Sequence, residues 1–152
     1  MEAPELEETL LSPVKNEVLE LDELWSYVYE KINKRWLWVA LCRRTRQVVA
    51  FFLGNRSEDS CQHLWNLIPE NYKHSTTYSD FWAAYKKVIQ TEKHFSVGKE
   101  TGQTAHIERW NNTLRQRNAR YVRKTLSFSK SEVNHFWFTR WFIINYNLSL
   151  KY

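Results

Sequence analysis

A chain of 152 residues, 43% of them hydrophobic and 26% charged, is long enough for one domain with its own core, and its three glycines and three prolines exclude a disordered or low-complexity chain. No run approaches the ~18 consecutive apolar residues of a membrane span and the acidic start lacks an apolar signal segment, so we expect a cytoplasmic protein. The net charge of +5 is the sum of −8 over residues 1–30 and +13 over residues 31–152. A basic region can attract nucleic acid, but net charge by itself more often indicates only a solvated surface.

The first strand of the domain carries an unexpected acid. Residues 1–16 are acidic and contain two prolines, so we predict an acidic tail or linker stub there and a domain over residues 17–152. From Glu17 onward apolar and acidic side chains alternate with a period of two, which predicts a strand. Asp22 lies inside this strand, where an acidic residue is disfavoured by propensity.

Two further strands follow at short intervals. Residues 35–42 are almost wholly apolar, and residues 48–55 form a similar run that ends at a Gly-Asn pair. Three consecutive strands with short connections predict an antiparallel meander. Because the middle strand is apolar on both sides, we expect both faces of the sheet to be covered.

The second half alternates helices with short strands. Ser57 has the features of an N-cap for a helix that reaches Ile68. A short strand over 74–80 ends in an acid, and a helix over 81–90, a short strand over 94–98 and a helix over 104–124 follow it. An aromatic helix closes the chain over 127–149, and its predicted core stripe is Val133, Phe136, Trp137, Trp141 and Ile144. The order predicts a mixed α/β fold.

The cysteines and histidines predict no zinc site. Cys42 and Cys61 lie far apart in the chain, which is typical of structural thiols in a reducing compartment. The five histidines show no spacing typical of zinc ligands.

Three carboxylates stand against the local pattern. Asp22 lies inside a strand, Asp80 closes a strand and Glu108 is the only acid of a basic helix. Taken singly, each is more often an exposed or ion-paired side chain. If the three converge, their oxygens suit hard cations such as Mg²⁺ or Mn²⁺, and two ions could promote phosphodiester chemistry.

The basic helix has a polar face that includes Glu108. Residues 104–130 hold seven basic residues against this one acid. At ~100° per residue Asn111 and Arg115 share the face of Glu108, whereas Ile107 and Leu114 belong to the apolar face. We expect the polar and basic residues of this region to contact DNA phosphates; they are Arg109, Asn111, Asn112, Arg115, Arg117, Arg120, Arg123, Lys124 and Lys130.

Four segments together resemble one family of enzymes. They are LDELWSYV, KRWLWVALCRRTRQVVAFFLGNRS, YSDFWAAY and HIERWNNTLRQRNARYVRKTLSFSKS, in this order. They resemble the catalytic region of insertion-element-one type transposases, in the DDE transposase and integrase superfamily, over about residues 18–146. The resemblance implies a ribonuclease-H-like α/β fold, with three antiparallel strands followed by short parallel strands and flanked by helices.

The resemblance also implies a function and a site. It assigns Asp22, Asp80 and Glu108 as a catalytic triad that holds Mg²⁺ or Mn²⁺, two ions being expected, for DNA cleavage at element ends and strand transfer to target DNA. Glu23 is expected to point to the opposite face of its strand, and Trp82 is expected to pack rather than to stack on an extruded base.

Three partners are implied as well: DNA, a zinc-binding or helix-turn-helix region supplied by a partner or by frameshift fusion, and further copies of the chain on DNA. The protein is then expected at the nucleoid when DNA is bound.

Two other functions remain open from the sequence. A ribonuclease-H-like nuclease would use the same metal site on an RNA–DNA hybrid. A non-catalytic DNA-binding regulator of transposition would show salt-sensitive binding that depends neither on a divalent metal nor on Asp22.

Overall fold

The computed structural model describes residues 4–28, 30–124 and 132–151, with side chains outside 26–34 and 118–134. In these ranges the chain forms five strands and four α-helices. They are β1 (Val18–Val28), β2 (Glu30–Cys42), β3 (Val48–Gly54), α1 (Glu58–Leu67), β4 (Thr76–Ser79), α2 (Ala83–Val88), β5 (His94–Ser96), α3 (Ala105–Lys124) and α4 (Glu132–Lys151).

The five strands form one mixed sheet in the order β3-β2-β1-β4-β5. β1 and β2 are antiparallel, as are β2 and β3, whereas β4 runs parallel to β1 and β5 parallel to β4. The predicted meander followed by short parallel strands is therefore confirmed. β2 begins at Glu30, five residues before the predicted start. The prediction missed these first residues because they are mostly polar and contain no apolar run.

Both faces of the sheet are covered, as expected from the apolar middle strand. On one face, alternate residues of β1 and β2, such as Leu21 and Trp38, pack with α1 and α2. On the other face, Leu24 and Val39 belong to a second cluster with α3 and α4. The alternation along β1 therefore sends Asp22 to the α3 side of the sheet and Glu23 to the α1–α2 side.

The N-terminal segment, predicted as a tail or linker stub, contacts the domain. A short 3₁₀ helix spans Leu6–Thr9, and Thr9 is fully buried. Gln47 Nε2 donates to the Thr9 carbonyl at 2.9 Å, and Asn147 Nδ2 donates to Thr9 Oγ1 at 3.0 Å. Residues 6–9 thus lie against the start of β3 and the end of α4, while the boundary at residue 16 stays a prediction.

The aromatic helix α4 packs through a different stripe from the predicted one. Phe136, Trp137 and Trp141 are 39%, 56% and 50% exposed, whereas Phe142 and Ile143 are buried. The prediction was wrong at these three aromatic positions because α4 is apolar on most of its circumference, so periodicity gives little choice of face. Ile144 is buried as predicted, and the side chain of Val133 lies outside the described residues. Among the described helices, none has the length and apolarity that crossing a bilayer requires.

The predicted N-cap of α1 is confirmed, and it supports a test. Ser57 Oγ accepts the Ser60 backbone N–H at 3.2 Å. Ser57→Ala is expected to lower the free energy of unfolding by ~1 kcal/mol, measured by urea denaturation, because one N–H at the helix start loses its acceptor. Ser149→Ala, at an exposed hydroxyl of α4, is the matched control and should change stability by less than ~0.5 kcal/mol. Equal effects of the two substitutions would contradict the capping role.

Candidate metal and nucleic-acid site

An acidic cleft opens where the sheet stops pairing on one side of β1. β4 pairs with β1 only as far as Glu20 opposite Tyr78, so the edge of β1 beyond this point has no partner in β4. A cleft of about 360 Å³ lies here, and its lining includes Asp22, Asp80 and Glu108. The three predicted acids therefore lie along one cleft, although they are far apart in the chain.

Asp22 and Asp80 are both oriented by hydrogen bonds. Asp22 Oδ1 accepts the Glu23 backbone N–H at 2.9 Å, and its Oδ2 accepts Asn111 Nδ2 of α3 at 2.8 Å. Asp80 Oδ1 accepts the Trp82 backbone N–H at 2.9 Å at the start of α2. The two side chains are thus fixed by a neighbouring peptide and, for Asp22, by the helix that carries Glu108.

Glu23 joins this group, which the sequence did not predict. Oxygens of Asp22, Glu23 and Asp80 all lie within 4.8 Å of one another. As expected from the strand alternation, Glu23 is held on the α1–α2 side, where it accepts Tyr85 Oη and, at 3.1 Å, Arg56 Nη2. Its side chain is long enough to reach the cleft from that side, so the prediction that it points away is only partly right.

Glu108 lies at the edge of the group. It is half-buried on the first turn of α3, and its Oε1 lies 3.4 Å from Thr104 Oγ1. It lines the cleft but is outside the three acids that approach within 4.8 Å. Its carboxylate is therefore the most loosely held of the predicted triad.

A fully buried acid attaches α3 to β1. Glu20, two positions before Asp22, accepts the backbone N–H groups of His106 and Ile107 through Oε1, at 3.0 and 3.1 Å. Its Oε2 accepts Arg43 Nε at 3.0 Å and lies 2.8 Å from His106 Nδ1. Glu20 thus fixes the start of the helix that carries Glu108. The sequence offers one hint of this role: Glu20 and Asp22 are two residues apart, so both lie on the same face of the strand.

The pKa of Asp22 is raised to about 7 in the folded protein. Burial is the main cause, and the negative charges of Glu23, Asp80 and Glu108 add to it. Burial also raises the pKa of Glu23, against the hydrogen bond from Tyr85 and the pairing with Arg56. Full ionisation of these carboxylates is therefore unfavourable unless a cation binds between them.

The donor set fits a hard divalent cation. Carboxylate oxygens are preferred by Mg²⁺ and Mn²⁺. Asn111 is 6% exposed and lines the same cleft, and its Oδ1 is buried without a hydrogen-bond partner in the described residues. An acceptor in this position could bind a water of a hydrated ion. Asp22, Asp80 and Glu108, with Glu23 beside them, are the residues that could hold such ions.

The predicted DNA-contacting residues are divided between faces of α3. Asn111, Asn112 and Arg115 line the cleft with Glu108. Arg109 is exposed and does not line it. The remaining side chains lie elsewhere or outside the described residues: Arg117 lies over the ring of Phe142 at 5.8 Å, and Arg120, Arg123, Lys124 and Lys130 are outside the described side chains.

Two cations of the cleft were not predicted. Arg56, in the turn between β3 and α1, and Lys99, just before α3, both line the cleft. A single arginine in a turn carries no periodic signal, so sequence alone could not place it here. The Arg56 guanidinium lies over Trp82, 4.0 Å from the ring centroid, so Trp82 packs as expected.

Comparison with known proteins agrees with the motifs. A family model described as IS1 transposase matches residues 17–146. "Insertion element iso-IS1n protein InsB" of Shigella dysenteriae is 40% identical over 119 residues, which cover 78% of this chain and 87% of that protein. "Insertion element IS1 protein InsB" of Shigella flexneri is 38% identical over 116 residues, which cover 76% and 86% of the two chains.

A solved structure shows the same fold. The HTLV-2 integrase catalytic core domain, described as a complex with magnesium in a trimeric form, superposes with a TM-score of 0.56 and 12% identity, covering 88% of this chain and 82% of that one. This likeness confirms the ribonuclease-H-like mixed sheet. Together, the match over residues 17–146 and the InsB relatives show that the chain belongs to the IS1 transposase family.

Proposed function

We propose that this transposase domain cleaves DNA at the ends of a mobile element and joins the freed strand to target DNA in a divalent-metal-dependent reaction. Asp22, Asp80 and Glu108 are the proposed metal ligands. The observation that carries the proposal is the convergence of acids from β1, the end of β4 and α3 on one cleft, where burial, together with the charges of the neighbouring acids, raises the pKa of Asp22 to about 7.

Bound Mg²⁺ or Mn²⁺, two ions in the usual arrangement, would activate a water or a 3′-hydroxyl and stabilise the leaving oxygen. The protein's part is to orient the ligands. Asn111 holds Asp22 from α3, and the Trp82 backbone N–H holds Asp80. Among the described residues, Glu108 makes one long hydrogen bond, with Thr104, so its side chain can adjust to the ligand geometry that an ion requires.

Basic residues around the acids would hold the DNA. Arg115 and Lys99 line the same cleft as the acids, and Asn112 lies beside them on α3. Cations in this position would bind backbone phosphates on either side of the bond to be cut, without reading sequence.

Recognition of the specific DNA ends of the mobile element requires a further DNA-binding region. Both cysteines are buried and free, and they are far apart on β2 and α1. Within the described residues, neither is available for a zinc module. We therefore expect a zinc-binding or helix-turn-helix region, from a partner or from a fused segment, to select the ends, and at least two copies of the chain to bring two ends together.

The test is a cleavage and joining assay on three substrates. The DNA flanking the reading frame is sequenced first, and any terminal inverted repeats found there supply the labelled element-end duplex. The chain, alone and fused to any upstream zinc or helix-turn-helix region, is incubated with this duplex, an unrelated duplex and an RNA–DNA hybrid, in Mg²⁺, Mn²⁺ or EDTA. We expect nicking and joining of the element end with either metal and none in EDTA.

Other outcomes would assign other functions. Cleavage of the hybrid without strand joining would indicate a ribonuclease-H-like nuclease. Salt-sensitive DNA binding without metal-dependent cleavage by either protein would indicate a non-catalytic regulator.

A further inference from the structure

We propose that Arg56 binds a DNA backbone phosphate at the cleft, from the face of the sheet opposite to α3. This inference rests on the proposed function, because it adds a phosphate contact to the same DNA-binding cleft. Arg56 follows β3 and packs among side chains of the α1–α2 face, whereas Arg115 approaches the cleft from α3 on the other face. DNA in the cleft would then be held from both sides.

Three contacts fix the Arg56 guanidinium in place. Its Cζ lies 4.8 Å from the ring centroid of Trp36 and 4.0 Å from that of Trp82. Its Nη2 donates to Glu23 Oε1 at 3.1 Å. A planar guanidinium held by aromatic rings loses little further freedom when it binds an anion, so it is well suited to bind a phosphate oxygen.

The group is exposed and has donors to spare. The Arg56 side chain is 37% exposed although Glu23 is buried. Among the described residues, Arg56 makes one hydrogen bond, whereas a guanidinium offers five N–H donors. Its remaining donors can therefore bind a phosphate without breaking the pair with Glu23.

The charges of the cleft give a reason for a cation here. Its lining carries four carboxylates, those of Asp22, Glu23, Asp80 and Glu108, against the three cations Arg56, Lys99 and Arg115. A phosphodiester that approaches this floor is repelled unless cations at the rim compensate. Arg56 supplies a cation to this rim from the α1–α2 side, beside Glu23 of β1.

A simpler role for Arg56 is to neutralise Glu23, and the experiment separates the two roles. The variants are Arg56→Gln, Glu23→Gln, the double variant Glu23→Gln/Arg56→Gln, and Arg115→Gln as a comparator on α3. Binding of a labelled DNA duplex is measured by fluorescence anisotropy in EDTA over a range of salt concentrations. Thermal unfolding of each variant checks the fold, and Arg56→Lys keeps the charge if Arg56→Gln is unstable.

If Arg56 binds a phosphate, Arg56→Gln should weaken DNA binding, and removing the charge of Glu23 should not restore it. In a plot of the logarithm of the DNA association constant against the logarithm of the salt concentration, the slope is negative. Its magnitude should decrease by ~1 in Arg56→Gln, as expected for the loss of one phosphate contact. The double variant should be thermally more stable than Arg56→Gln, because Glu23 no longer carries an unpaired charge. Its salt slope should still be smaller in magnitude than that of Glu23→Gln. Arg56→Lys should retain most of the slope.

Two results would overturn the proposal, and they differ. If the double variant has the slope and affinity of Glu23→Gln while Arg115→Gln has a lower slope, Arg56 serves only Glu23 and the proposed function stands. If the wild-type chain shows no salt-dependent DNA binding and Arg115→Gln changes nothing, the proposed DNA-binding cleft fails together with the Arg56 contact.

Discussion

Asp22→Asn is expected to abolish metal-dependent strand cleavage and, at the same time, to stabilise the metal-free protein. Cleavage should fall at least ~10³-fold, equivalent to about 4 kcal/mol in the barrier, because a charged oxygen ligand is lost. The fold should persist, since the oxygen of the new amide would still accept the Glu23 N–H and Asn111 can turn its own amide to accept the new NH₂ group. Asp80→Asn should lose cleavage in the same way.

The gain in stability follows from the raised pKa of Asp22. Its carboxyl has a pKa of about 7 in the folded protein against an ordinary value of 3.8. Between these values the folded state binds more protons than the unfolded state, so stability falls as pH rises through this window. From pH 5 to pH 8 the metal-free wild type should lose about 2–3 kcal/mol from this group, and Asp22→Asn should not.

Urea denaturation in EDTA at several pH values measures this difference. Asp59→Asn, at an exposed carboxylate on the first turn of α1, is the control and should keep cleavage and the wild-type pH dependence. The electrostatic explanation would be wrong if Asp22→Asn and the wild type lost stability in parallel as the pH rose.

Glu20→Gln is expected to have the largest effect on folding. The substitution removes the charge that faces Arg43 and His106 and places an NH₂ group where an acceptor was. Disrupting a buried charged pair leaves donors unsatisfied, and a loss of ~2–4 kcal/mol in the free energy of unfolding is expected. The partial exposure of Arg43, whose side chain is 27% exposed, keeps the expected loss below that for a fully buried pair.

The same change should also weaken metal binding, because Glu20 fixes the start of α3 only two residues before Glu108. The matched control is Glu58→Gln, whose carboxylate pairs with Lys87 on the surface at 2.8 Å and which should cost less than ~1 kcal/mol. Equal urea midpoints for Glu20→Gln and the wild type would show that Glu20 does not hold α3.

The sequence predicted the framework of the site because strands and acids leave clear local signals. Alternation marked β1 and its acid, Ser57 marked the start of α1, and the apolar middle strand indicated a sheet covered on both faces. An acid in mid-strand is unfavourable unless it has a function, which is why the sequence alone could single out Asp22.

The missed features depend on three-dimensional contacts between distant residues. Glu23 reaches the cleft only because β4 stops pairing at Glu20, and Arg56 belongs to the site only because two tryptophans and Glu23 hold it. The inner stripe of α4 includes Asn147, whose side-chain amide bonds both backbone groups of Val48. A polar residue in a buried position defeats a prediction that relies on apolar periodicity alone.

The most direct test of the proposed metal site is a titration of Mn²⁺ into the wild-type chain and into Asp22→Asn, Asp80→Asn and Glu108→Gln, with free Mn²⁺ followed by electron paramagnetic resonance. We expect that the wild type binds Mn²⁺, that each of the three variants binds it at least ~10-fold more weakly, and that Glu58→Gln binds it like the wild type. Binding of Mn²⁺ by all three variants with the affinity and stoichiometry of the wild type would contradict the assignment of these acids as the metal site.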